Sequence, residues 1–314
     1  MLSRRGLRIK TMQVLYMSMQ LGSNNTSVAV KQLDASIYNA FRALLYNLYF
    51  LTQLAERVEA EANRKRNKYL PTEEDLKFST VFTRNYIIEY LNKDPYFQQK
   101  LRKEKLMTLL DEEIVNVIYG QLKQADWYIN YISKEEHTQQ EQFAVIQNCL
   151  HKFLFLNEYF DQHMEDIIPT WNDDEFIVVD LIVEVLKAIP YSSTDKPDLF
   201  EFKISDEEKT FSNQLLIKTM LEDKRFDKMV EAKLENWELD RISMIDRILM
   251  KMAITEFIHL STIPVKVTIN EYLDISKIYS TPKSKEFING VLDKIMTELR
   301  SSGEIIKTGR GLVE

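Results

Sequence analysis

"EFINGVLDKI", residues 286–295, sets two local rules against each other. Phe287, Val291 and Ile295 recur every fourth residue, with Ile288 and Leu292 beside them, which is the apolar stripe of an amphipathic helix. Asn289-Gly290 stands in the middle, and Asn-Gly usually marks a turn. A glycine inside a helix costs about 1 kcal/mol relative to alanine. The helix is expected to run on to about Arg300, which keeps Gly290 in its interior. The glycine then needs a reason: close approach of a neighbouring helix, or close approach of something outside the chain.

Upstream, the chain reads as helix throughout. Seven Gly and seven Pro in 314 residues leave little punctuation for short strands, and the 45% hydrophobic content is ample for a buried core. The expected class is all-α. Cys149 is the single cysteine, which excludes an internal disulfide framework and suits a reducing compartment, so a cytoplasmic location is expected. The sequence reads without a signal peptide or membrane anchor, because no apolar run approaches the ~18–20 residues of a span.

Charge is unevenly placed. Arg4, Arg5, Arg8, Lys10 and Lys31 precede the first acid, Asp34, so residues 1–33 carry +5 while the whole chain carries −7. A basic arm on an acidic body suits a polyanionic partner met by one face; it also suits a solvated helix start. "RRGLRIKTMQVLYMSMQLG" places Leu7, Thr11, Val14, Leu15 and Met19 on one helical face, with the arginines on or beside another. A long helix follows, ending in the basic run 64–68, which reads as a solvated helix end. Helices are expected over 79–92, 95–109, 111–132, 136–166, 173–188, 209–234 and 240–260. Thr268 and Glu271 have capping-box spacing, predicting a helix start there, and Thr281-Pro282 predicts the start of the last helix. The "IPYSSTDKPDLFEFKISDEEKT" stretch reads as a linker, and 301–314 as a flexible tail.

Sites for chemistry are scarce. His137, His151, His163 and His259 have no helical metal-ligand spacing, and Cys149 lies two residues from His151, on a different side of a helix. No phosphate-binding glycine loop occurs. Neither a metal, a cofactor nor catalysis is expected.

Residues 248–295, from "ILMKMAITEF" through "IPVKVTINEYLDISKIYS" to "FINGVLDK", resemble the C-terminal half of the NusB family of transcription antitermination factors. The arginines of the first helix, followed by Gln13, Leu15 and Tyr16, resemble that family's start, as do Leu215, Leu216 and Asp246-Arg247 its intermediate helices. The resemblance divides the chain into a NusB-like helical bundle over 1–22 and 209–300 and an inserted helical region over 23–208, whose stripe of Tyr38, Phe41, Leu45 and Leu48 predicts a core of its own.

The resemblance implies an RNA-binding protein without enzymatic activity. It would recognise a boxA-like single-stranded ribosomal RNA leader together with the ribosomal protein NusE, and act in an antitermination complex on RNA polymerase. Carried over by position, Arg4, Arg5 and Arg8 would meet phosphates; Gln13, Tyr16, Phe287 and Asn289 would lie along the RNA, with Lys283 and Lys285 assisting. Lys283 stands where the family often has an acid. Asp246 and Glu256 would serve partner binding. Two other readings remain: a protein-binding adaptor without RNA, and a NusB-like domain serving RNA modification.

Overall fold

The computed structural model describes residues 2–191, 199–234 and 241–312. Among them there is helix and connecting loop and no strand. The chain divides into two compact units, one formed by residues 1–37 with 203–314 and the other by residues 38–202.

The first unit is a bundle around a helix buried on nearly every side. Its helices are α1 (Arg4–Gln20), the first turns of α2 (Thr26–Arg66), and five from the C-terminal part of the chain. These are α11 (Asp206–Leu221), α12 (Asp223–Glu231), α13 (Met244–His259), α14 (Val265–Tyr279) and α15 (Ser284–Ser301). α13 packs against α1, α11, α12, α14 and α15. Every residue from Ile248 to Phe257 is buried, as expected of a helix that is the centre of a bundle rather than one of its walls. Three buried charged side chains fall on this central helix, and each is matched. Asp246 accepts from the Ser280 and Ser284 hydroxyls at 2.6 and 2.8 Å, Lys251 pairs with Asp223 and with Asp227 at 2.8 Å, and Glu256 meets Arg8. Burying an ion without its partner would cost several kcal/mol, so these pairs fix how the surrounding helices sit on α13.

Two sequence expectations change here. α14 starts at Val265, with Pro264 in the N-cap position, so Thr268 and Glu271 form no capping box. Thr268 instead donates to Glu256 at 2.9 Å and Glu271 pairs with Arg5. Residues 303–312 are not a loose tail either. Lys307 Nζ donates to the Glu256 and Leu260 carbonyls at 2.8 and 3.0 Å, supplying a cation and two donors to the end of α13, where orphan carbonyls need them. Gly311 lies so close to Ser261 that a Cβ would stand 2.0 Å from its carbonyl oxygen.

The second unit is built on the remainder of α2, with α3 (Glu73–Leu76), α4 (Tyr86–Lys93), α5 (Pro95–Lys103), α6 (Glu112–Leu122), α7 (Asp126–Ile132), α8 (Gln139–Cys149), α9 (Glu158–Ile167) and α10 (Trp171–Ala188). It has its own core: Phe41, Leu45 and Leu48 are buried, and Phe50 meets Phe160 edge-on at 4.8 Å. The buried Cys149 thiol is pushed up by desolvation, as a core thiol should be. The expected long helices of this region are shorter. Lys105 adopts φ 55° and ends the segment begun at Pro95, and Asn157 accepts from the Tyr159 and Phe160 N–H groups and starts α9 afresh. Part of the expected linker, 192–198, and residues 235–240 lie outside the described residues.

Candidate nucleic-acid interface

The basic start of α1 begins with Ser3, whose side chain accepts from Gly6 N–H as the N-cap. From Gly6 to Met12 every residue is buried, because α11 and α13 cover this part of the helix. That burial separates the three arginines. Arg8 is 2% exposed. Its Nε and Nη2 donate to the two oxygens of Glu256 at 2.7 and 3.0 Å, a bidentate fork, and its Nη1 reaches Glu271 at 3.5 Å. The same Glu256 carboxylate accepts from Thr268 at 2.9 Å and from Tyr272 at 2.8 Å. Four donors thus fill the acceptor capacity of Glu256. Desolvation alone would lower the Arg8 pKa, but the charge and hydrogen bonds of Glu256 outweigh it and raise it. The Tyr272 hydroxyl is held far above the usual phenol range, first by burial and then by Glu256.

Arg8 is therefore a structural cation, and its expected phosphate contact is corrected accordingly. The same holds for the two expected partner-binding acids. Glu256 is fully buried, and Asp246 is 5% exposed with both oxygens taken by serines. They position helices: Glu256 ties α1 to α14, and Asp246 ties the start of α15 to the start of α13.

Arg4 and Arg5 stay at the surface, each with carboxylate partners. Arg4 pairs with Glu207 and lies 5.2 Å from the Phe211 ring centroid. Arg5 forks onto Glu271 at 2.9 and 3.1 Å and also meets Asp274 at 3.0 Å. The Glu271 hydrogen bond, reinforced by both negative charges, raises the Arg5 pKa. Asp274 is held below the usual carboxylate range by Lys277, then by the fields of Arg5 and Lys285. The Lys285 field places it beside this cluster. One neighbourhood thus contains Arg5, Asp274, Lys277 and Lys285, drawn from α1, α14 and α15.

On α15, Ile288, Val291, Leu292, Ile295 and Leu299 point inward. Lys283, Lys285, Asn289 and Gly290 are exposed and Phe287 is half-buried. Spacings of four and three residues put Lys283, Phe287 and Gly290 in one outward row, with the acid Glu286 beside it. A Cβ built on Gly290 would meet nothing within 4 Å. No described helix of this chain exploits the missing side chain, so intramolecular packing does not account for the glycine.

Gln13 and Tyr16 lie further along α1, Gln13 half-buried and Tyr16 exposed, its hydroxyl 3.2 Å from Gln20 Nε2. Among the described residues no cluster of His, Cys, Asp or Glu is arranged to hold a metal ion. Sequence reasoning missed Glu207, Glu271 and Asp274, which decide what the arginines do. α1 offers little signal of this: Arg8 lies between Leu7 and Ile9, with apolar residues on several faces, so spacing alone leaves its direction open.

Comparison with known proteins adds to this geometry. A sequence model described as the NusB family matches residues 177–297, from within α10 to within α15, leaving α1 outside the matched segment. A transcription antitermination protein NusB of Salinibacter ruber is 42% identical over 103 residues, covering 33% of this chain and 64% of that protein. Its counterpart in Chloroherpeton thalassium is 47% identical over 88 residues, 28% of this chain and 42% of that protein. In Desulforamulus reducens the protein of that name is 33% identical over 132 residues, covering 40% of this chain and 92% of the relative. The chain thus spans less than two thirds of the length of the first two and nearly the whole of the third.

Proposed function

The chain belongs to the NusB family, and from that premise we propose that it is a transcription antitermination factor that binds single-stranded RNA without catalysing a reaction. The observation that carries the reading is Gly290. A residue that weakens α15 is kept on its exposed face, in open space, in one row with Lys283 and Phe287. An RNA strand laid along that row gains a close backbone approach at Gly290, an aromatic face at Phe287 and a cation at Lys283. Asn289 can donate to and accept from base edges. Lys285 and Arg5 extend the basic edge, with Arg5 exchanging its carboxylates for phosphates.

The remaining details follow the family resemblance. The RNA is a boxA-like ribosomal leader, the partner protein is NusE, and the complex acts on RNA polymerase in the cytoplasm. Arg8, Asp246 and Glu256 serve this function by holding α1, α14 and α15 in register, while Gln13 and Tyr16 are peripheral contacts along α1.

The test is an anisotropy titration of a labelled boxA-like RNA with the full chain, with and without NusE. Binding is expected to tighten when NusE is added. Replacing Lys283 and Lys285 by Ala should weaken it and lower the slope of log affinity against log salt by about 0.7 for each phosphate that is no longer neutralised. If the wild-type chain binds no RNA under either condition but captures NusE, the adaptor reading replaces this one.

A further inference from the structure

At the far end of α2, in the unit formed by residues 38–202, lies a second concentration of positive charge. Arg57 and Arg64, seven residues apart, share one face of the helix over about 10 Å, and Lys68 stands just past the helix end. Lys65 and Arg66 flank that row, and Lys123 at the end of α6 is tied into it through Glu61 at 2.9 Å. Two of the nearby acids are committed, while Glu56 and Glu59 lie on the same stretch of α2. Glu61 is shared by Lys123 and Lys65, and Asp75 takes Lys68 with both oxygens, at 2.8 and 3.0 Å.

What remains is three exposed guanidiniums, on Arg57, Arg64 and Arg66, that form no hydrogen bond or ion pair with any described residue. Arg57 and Arg64 do lie near enough to Tyr119 of α6 for their charge to oppose the rise in its pKa. Directly after the basic run stands Tyr69, 98% exposed.

A helix C-terminus attracts basic residues through its dipole, but that effect fades within the last turn. It accounts for Arg64, Lys65 and Arg66. It does not reach Arg57, more than two turns earlier, and it does not call for a fully exposed tyrosine. Guanidiniums free of carboxylates, two on one helix face and a third on the last turn, with an exposed ring just beyond, suit a partner with repeated phosphates and stackable bases.

We propose that the C-terminal part of α2, with Lys123 and Tyr69, is a second contact surface for single-stranded RNA, in which Arg57 and Arg64 meet phosphates along one face, Arg66 meets one as the strand turns around the helix end, and Tyr69 stacks on a base. The inference rests on the reading of the chain as an RNA-binding protein, and it assigns the inserted region a share of the RNA instead of a passive role. Because no ion pair has to be broken, these three arginines contribute to affinity without an exchange of partners.

The experiment uses the full chain and one labelled single-stranded RNA carrying a boxA-like element followed by a long uridine-rich tail. Binding is measured across a salt series for the wild type, for Arg57, Arg64 and Arg66 all replaced by Ala, for Tyr69→Ala, and for Lys283 and Lys285 replaced by Ala. Circular dichroism melts establish that each variant is folded; exposed positions of this kind should leave stability nearly unchanged. The triple arginine variant should bind roughly tenfold more weakly at low salt, with its salt slope reduced by about 2. Tyr69→Ala should bind more weakly with the slope retained. Removing the uridine-rich tail should abolish both differences. An unchanged affinity and slope in the triple variant, while the Lys283/Lys285 variant is impaired, would overturn this inference and leave the proposed function intact. The reverse pattern would support this surface and remove α15 from the RNA site. A wild type that binds neither RNA would overturn both.

Discussion

The arginines of α1 and those at the end of α2 look alike in sequence and are opposites in structure. In α1, Arg8 is buried on Glu256, Arg5 forks onto Glu271 and Asp274, and Arg4 holds Glu207. At the end of α2, Arg57, Arg64 and Arg66 face solvent without a carboxylate. The difference teaches that a basic run predicts a polyanion contact only after the nearby acids have been assigned. For α1 the acids come from α11, α13 and α14, between 203 and 269 residues away along the chain. At the end of α2 the paired acids are local, and lysines hold Glu61 and Asp75.

The comparison breaks most readily at Arg8. If it is a structural cation, Arg8→Ala leaves Glu256 charged and buried without its fork, and should cost about 3–5 kcal/mol in urea unfolding. A loss no larger than that of a surface pair would return Arg8 to the candidate phosphate contacts. Removing both charged partners together should cost less than the sum of the single changes, since neither charge is then left stranded.

Lys307 is the next committed donor of the same unit. Lys307→Met removes the two donors at the end of α13 and should cost about 1.5 kcal/mol. Burial lowers the Lys307 pKa to about 8 in the folded chain, against an ordinary value of 10.5. Between those two values the unfolded chain binds more protons than the folded one, so the contribution of Lys307 to stability grows as pH rises from about 8 to 10.5. The gap between wild type and Lys307→Met should therefore widen across that window and hold steady below it. A gap independent of pH would mean that the amine is solvated.

Arg5 gives the smallest effect on folding. Its pairs are at the surface, and Arg5→Ala should change stability by about 0.5 kcal/mol. RNA binding is the sharper readout there: Glu271→Gln should strengthen it by releasing the guanidinium. No change in RNA affinity in either variant would separate Arg5 from the contact face.

Much of the bundle was legible because its periodicity is strong. The inward row of α15 and the helix-forming pattern around Thr268 are written in three- and four-residue spacing. What the spacing does not write is the partner across the bundle. Thr268 and Glu271 have the pattern of a capping box, yet helix α14 begins three residues earlier and both side chains serve the arginine network. Arg8 lies on a helix with apolar residues on several faces, so periodicity alone leaves its direction open, and only the arrival of Glu256 makes burial tolerable. The last residues, with Gly303, Gly309 and Gly311, have the composition of a loose tail; the docking of Lys307 depends on the free carbonyls of α13, a feature of the fold. Gly290 is the converse case: the sequence flagged it, and the open space beside it removes one of the two explanations, packing against a described helix.

Gly290 also supplies the most direct test of the account. Ala fits there without contact, so Gly290→Ala should stabilise the folded chain, by up to about 1 kcal/mol, through its better helix propensity. If α15 presents that position to RNA, the same methyl group should weaken binding of the boxA-like RNA. The measurement is a paired one on a single protein: a urea unfolding curve and an RNA titration. The account predicts that stability rises while affinity falls. A more stable protein with unchanged RNA affinity would contradict the claim that the exposed row of α15 is where this protein meets its RNA.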